Sequence, residues 1–111
     1  MNGTDSSQEM SQSTWAPAEL EAHARVLKAM AHPVRLCILR GLADGGERNV
    51  SGLQCSLGAP QSTVSQHLAK LRSAGLLCTR REGTEVFYRL ATPVVRRVLR
   101  ALTASSPLSP R

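Results

Sequence analysis

Apolar positions along this chain recur mostly at helical spacing and alternate over one short stretch near residue 80. Residues 1–14 are rich in Ser, Gln and Thr with almost no apolar content, the composition of a disordered tail. From Pro17 to Met30 the pattern changes. Leu20, Ala24, Leu27 and Ala31 fall on one helical face, with Glu19 and Glu21 early and Lys28 late, charges that suit a helix dipole. A second helix is predicted from His32-Pro33, with proline in its first turn, to the Gly45-Gly46 break. Val34, Leu36, Cys37, Ile38, Leu39 and Leu42 make it apolar nearly all round, which marks a central, buried helix. Asn49 is placed to cap a short third helix, with Val50, Leu53 and Leu57 on one face and Gly58 at its end.

Pro60 opens a fourth helix whose inward stripe is Val64, Leu68 and Leu71 and whose stop is Gly75. Residues 76–81 and 84–90 then read as a β-hairpin around Glu82-Gly83. Thr92-Pro93 pairs a cap with a first-turn proline and starts a last helix through Val94, Val95, Val98, Leu99 and Leu102. A Pro/Ser tail, residues 105–111, is expected to fray. The expected class is mostly α with a small β-hairpin (α+β), in one domain spanning residues 15–104.

Size and composition narrow the function. A chain of 111 residues makes one small domain, marginal alone and helped by pairing. No apolar run reaches the roughly 20 residues that span a bilayer, and the first residues lack the basic and apolar regions of a signal peptide, so a cytoplasmic location is expected. The formal net charge is +6, and it is unevenly placed. Residues 60–111 hold nine Lys and Arg against Glu82 and Glu85, whereas residues 1–59 hold five basic and six acidic side chains. Positive charge is thus concentrated where a polyanion would need it. There is no phosphate loop, no Ser/His/Asp arrangement in plausible context and no paired-carboxylate signature, so an enzyme is not expected.

The fourth helix carries the candidate chemistry. Opposite its apolar stripe lie Ser62, Thr63, Gln66, Ala69, Lys70 and Ser73, with Gln61 and Ser65 flanking them near the helix start. Small polar side chains let a helix backbone approach a groove while Gln, Ser and Thr reach base edges or phosphates. Taken alone, such a face is equally an ordinary solvated one. The hairpin that follows shifts the balance, because Arg80 and Arg81 near its tip suit a phosphate backbone or a minor groove.

The segments KAMAHPVRLCILRGL, VSGLQCSLGAPQSTVSQHLAKLRSAGLL and RREGTEVFYRL resemble the ArsR/SmtB family of bacterial winged-helix repressors, over roughly residues 20–100. The resemblance implies a winged helix-turn-helix fold in the order α-α-α-α-β-β-α. It also implies a homodimer paired through its first and last helices, and a repressor that binds double-stranded DNA at an inverted-repeat operator. By that analogy Gln61, Ser62, Thr63, Ser65 and Gln66 contact the operator, with Lys70 beside them, and Arg80 and Arg81 belong to the wing. Metal-sensing members carry a Cys-x-Cys motif where this chain has Asn49 and Ser51, or Asp and His ligands on the last helix, where it has TPVVRRVLRAL. Both common metal sites are therefore expected to be absent, and no cofactor is implied.

Cys37, Cys55 and Cys78 remain as chemistry without an assignment. They form no CxxC pair and suggest neither zinc binding nor a disulfide framework. Periodicity puts Cys37 on the central helix and Cys55 on the outer face of the third, and Cys78 starts the wing. They are either inert thiols or a switch through which a thiol-reactive or metalloid signal releases the repressor. His32 is expected to cap the second helix and His67 to support the recognition helix. The competing readings are a ligand-independent DNA-binding autorepressor and a winged-helix module for protein–protein interaction.

Overall fold

A computed structural model describes residues 14–53 and 58–104. Helix α1 spans Pro17–Met30, α2 spans Pro33–Gly45, α3 spans Gln61–Ser73 and α4 spans Pro93–Ala104. Strand β1 is Arg48–Asn49, followed by a single 3-10 turn at Val50–Gly52, and the hairpin strands are β2 (Leu77–Glu82) and β3 (Glu85–Leu90). Of the two expected tails, all but Thr14 lies outside the described residues.

Helix boundaries follow local chemistry. Glu19 reaches back to accept from the backbone N–H of Ala16 at 2.8 Å and closes the start of α1. Before α2, the Nδ1 of His32 accepts from Val34 N–H at 3.1 Å, the capping role expected of it. Thr92 caps α4 through its hydroxyl, which accepts from Val94 N–H at 3.2 Å. Helix α3 ends in a Schellman motif: Gly75 N–H donates to Arg72 carbonyl and Leu76 N–H to Leu71 carbonyl, with Gly75 at φ 81°. Leu71 and Leu76, the apolar pair that accompanies this motif, are both buried. The chain therefore leaves the helix directly into β2.

Ile38, Leu39 and Leu42 of α2 meet Val64, Leu68 and Leu71 of α3 in the core, closed by Leu53, Leu76, Leu77, Val95 and Leu99. Helix α2 packs against α1, α3, β3 and α4, the central position its apolar surface predicts. Leu77, Tyr88 and Leu90 share the sheet face turned to this core, whereas Cys78, Arg80, Phe87 and Arg89 share the outer face.

Two expectations change. The third helix is expected from Val50 to Leu57, but the described part is only the 3-10 turn Val50–Gly52; residues 54–57 lie outside the described residues. Asn49 caps as expected, accepting from Gly52 N–H at 2.9 Å. It also sits in a strand that sequence does not announce: β1 pairs antiparallel with β3, Arg48 opposite Tyr88 and Asn49 opposite Phe87. The sheet is therefore three-stranded in the order β1-β3-β2. Two residues show no period, and only the waiting edge of β3 makes them a strand. The hairpin turn also lies one residue further on, at Gly83-Thr84. Positive φ at the first loop residue alone (Gly83, 63°) is the pattern of a type II′ connection.

Candidate nucleic-acid interface

The exposed face of α3 is small and polar. Gln61, Ser62, Ser65, Gln66, Ala69 and Lys70 are exposed, Thr63 is half-buried, and Val64, Leu68 and Leu71 anchor the opposite side. Pro60, just before the helix, makes no side-chain cap, and the first turn holds no acidic residue. The positive end of the helix dipole is thus not offset by an acidic side chain in its own first turn, which carries the hydroxyls of Ser62 and Thr63, a setting that suits phosphate oxygens. Arg72, exposed in the last turn, adds a cation that the sequence reading passed over.

Behind this face lies His67, its ring against that of His32 with centroids 4.3 Å apart. Its Nδ1 is buried without a hydrogen-bond partner among the described residues. Burial, followed by the positive fields of His32, Arg35 and Lys70, holds its pKa below the ordinary histidine value. His67 thus supports the helix from within, as expected, and is not part of its outer face.

The wing projects beyond the core, with residues 80–85 all exposed. Glu82 and Glu85 face each other across the last pair before the turn, a like-charge juxtaposition. Arg80 Nη1 offsets one by donating to Glu82 at 3.2 Å, and Asn49 Nδ2 offsets the other by donating to Glu85 at 3.1 Å. An open groove of about 320 Å³ lies between α3 and the wing, with Gln61 on one wall and Thr84, Glu85 and Tyr88 on the other.

Arg80 and Arg81, neighbours in sequence, differ in their surroundings. Arg81 makes no side-chain hydrogen bond or ion pair among the described residues. Arg80 donates from Nε to both carboxylate oxygens of Glu47 at 3.2 and 3.1 Å, and from Nη2 to Glu47 at 2.8 Å. Its guanidinium also lies over the Phe87 ring, 4.8 Å from the centroid. The Arg80 hydrogen bond pulls the Glu47 carboxyl below the usual carboxylate range, and the two glutamates push the Arg80 pKa still higher. Sequence reading missed Glu47. Residues 47 and 80 are joined only through the unannounced strand, so no local signal marks the pair.

Cys37 and Cys78 are half-buried, and Cys55 lies outside the described residues. Cys78 sits on the outer sheet face, whereas Cys37 belongs to α2, next to the buried Ile38. Among the described residues no three His, Cys, Asp or Glu side chains cluster in a way that could hold a metal ion. Nor is any described helix long and apolar enough to cross a membrane.

A polar-faced helix packed on a central helix and followed by a β-wing defines a winged helix-turn-helix domain. The family described as bacterial regulatory protein, arsR family, matches residues 32–78. A biofilm growth-associated repressor of Agrobacterium fabrum is 46% identical over 81 residues, covering 73% of this chain and 68% of that protein. The transcriptional repressor PagR of Bacillus anthracis is 42% identical over 83 residues, 75% of this chain and 83% of PagR. Its crystal structure superposes with a TM-score of 0.71, covering 78% of this chain and 99% of that one. The homodimeric winged helix-turn-helix DNA-binding domain of a Mycobacterium bovis protein gives a TM-score of 0.69 at 38% identity, covering 83% and 87%. The chain belongs to the ArsR family of bacterial regulatory proteins.

Proposed function

We propose that this chain is a homodimeric, sequence-specific transcriptional repressor that binds an inverted-repeat operator in double-stranded DNA. The observation that carries the reading is the exposed strip Gln61, Ser62, Ser65 and Gln66 on α3, backed by a rigid apolar stripe and flanked by the wing. In this reading Gln61, Ser65 and Gln66 read base edges, Ser62, Thr63 and Lys70 hold phosphates, and Arg81 extends the contact along the backbone. The relatives named as repressors, and the relative described as homodimeric and DNA-binding, support it.

Dimerisation through α1 and α4 fits what these helices leave uncovered. Leu20 and Leu27 on α1 are 51% and 56% exposed, and Leu102 on α4 is 52% exposed. Side chains of this size on two terminal helices are what a two-fold partner would cover. The same reading makes the protein a cytoplasmic DNA-binding regulator and not an enzyme. It carries no resident metal of the two common family kinds, since Asn49 and Ser51 hydrogen-bond to each other and α4 offers no ligand side chain.

Release by a small signal is part of the proposal, with the thiols of Cys37, Cys55 and Cys78 as the groups that a thiol-reactive or metalloid signal would attack. Fluorescence-anisotropy titration of the chain's own upstream DNA, reduced and then oxidised, tests both claims. Selective binding that oxidant abolishes and reductant restores is the expected result. Selective binding indifferent to oxidant removes the thiol release, and binding without selectivity removes the repressor.

A further inference from the structure

We propose that Glu47 is a positioning residue for the DNA interface: it holds Arg80 as a strut across the sheet, so that the wing offers Arg81, and not Arg80, to the phosphates. The proposal rests on the DNA-binding reading above and assigns different work to two adjacent arginines.

The geometry is that of a tie across three strands. Arg80 lies on β2, Phe87 is its cross-strand partner on β3, and Glu47 immediately precedes β1 at the far edge. The guanidinium passes over the Phe87 ring and grips both oxygens of Glu47 from Nε, with Nη2 on the same carboxylate. Nη1 turns to Glu82. Both edges of the guanidinium fork are therefore engaged inside the protein, over an aromatic platform that fixes its plane. An isolated exposed ion pair adds little, but a bidentate pair within a network holds a defined geometry.

Charge leads to the same division of labour. Glu47 and Glu82 bring two negative charges to Arg80, and the field of Arg89 on the same sheet face also falls on Glu47, so the patch is neutral and offers a polyanion no surplus cation. Arg81, with no side-chain partner among the described residues, keeps its full charge for a phosphate. A cation already neutralised displaces few counterions from DNA, whereas a free one contributes about one unit of salt dependence.

The placement of Glu47 explains what the tie would do. It sits between the end of α2 and the short β1, whose Asn49 caps the turn leading toward α3. A wing tied at Glu47 is thus referenced to the segment that delivers the recognition helix, which sets the span between Gln61 and the wing tip.

The test uses the full chain with Glu47→Gln, Arg80→Gln, Arg80→Lys and the Glu47→Gln/Arg80→Gln pair. Each is titrated with a duplex of the chain's own upstream region and with a scrambled duplex across a range of salt. Thermal melting sets a temperature at which every variant is folded. The expected result is a roughly three- to thirty-fold loss of preference for the upstream duplex in every variant. In Arg80→Gln and in the double variant the salt slope stays at the wild-type value, and the double variant is no worse than either single one. Arg80→Lys keeps the charge but loses the fork, so a near-normal Arg80→Lys overturns the proposal. So does Glu47→Gln if it tightens binding to both duplexes and steepens the salt slope while Arg80→Gln flattens it, the signature of Arg80 as a phosphate contact. Variants indistinguishable from wild type also overturn it. A wild-type chain without preference for its upstream duplex would instead overturn the DNA-binding reading on which the proposal stands.

Discussion

The rings of His32 and His67 pack against each other, centroids 4.3 Å apart and planes tilted by 42°, joining the cap of α2 to the inner side of α3. His32 Nδ1 accepts from Val34 N–H, while the buried Nδ1 of His67 has no hydrogen-bond partner among the described residues. Charge is therefore poorly tolerated at this contact, with Arg35 and Lys70 adding positive field around His67.

A pH dependence of stability follows. Burial, then His32, Arg35 and Lys70, depress the folded-state pKa of His67, so the unfolded chain binds more protons below its own value of about 6.5. The stabilisation from a neutral His67 is fully present above that pH and lost as the pH falls through the folded value. Thermal melting from about pH 7.5 to about pH 5.5 is expected to show a falling Tm in the wild type and a shallower fall in His67→Gln. Parallel profiles would remove His67 as the titrating group.

Base reading by α3 has its own signature. Gln66→Ala and Ser65→Ala remove exposed side chains that play no part in the core, so the fold is expected to be unchanged. Gln66→Ala should cost about 1–3 kcal/mol of operator affinity, the worth of a bidentate amide–base pair, and Ser65→Ala, which removes one hydroxyl, less; both should leave scrambled DNA nearly untouched. Equal losses on both duplexes would show that these side chains hold phosphates instead.

Arg81→Ala is expected to weaken all duplexes alike and lower the salt slope by about one unit, because Arg81 has no internal counter-ion. Kd measured across a salt series checks this. An unchanged slope would take the wing tip off the contact surface.

Two leucines on α4 separate the dimer from the fold. Leu99 is 8% exposed and belongs to the core, whereas Leu102, three residues on, is 52% exposed. Leu99→Asp is expected to unfold the domain by burying an unpaired charge. Leu102→Asp, like Leu27→Asp on α1, should yield a monomer in sedimentation with its helical circular dichroism retained. A Leu102→Asp chain that stays dimeric would rule out this face as the seam.

Where the polypeptide contains its own instructions, they were legible. The bounds of α2, α3 and α4 follow from proline, a capping side chain or a glycine stop in the chain itself. The alternation of residues 77–90 likewise announces the hairpin. The inward stripe Val64, Leu68 and Leu71 and the opposing polar face were readable for the same reason, since helical period alone divides them. The apolar surface of α4 was legible only in sum. Period could not tell Val95 and Leu99, which close the core, from Val94 and Leu102, which remain outside. All four read as one broad stripe until α2 takes its share.

By itself the sequence determined the helices, the hairpin, the polar face of α3 and the concentration of charge in the second half, because each is encoded by spacing, caps and composition within a few residues. Only the tertiary structure decided that Arg48–Asn49 is a strand, that His32 meets His67, and that Arg80 belongs to Glu47 while Arg81 remains without a side-chain partner among the described residues. Each of these depends on groups more than thirty residues apart, and nothing local distinguishes an arginine that will find a carboxylate across a sheet from the neighbour that will not.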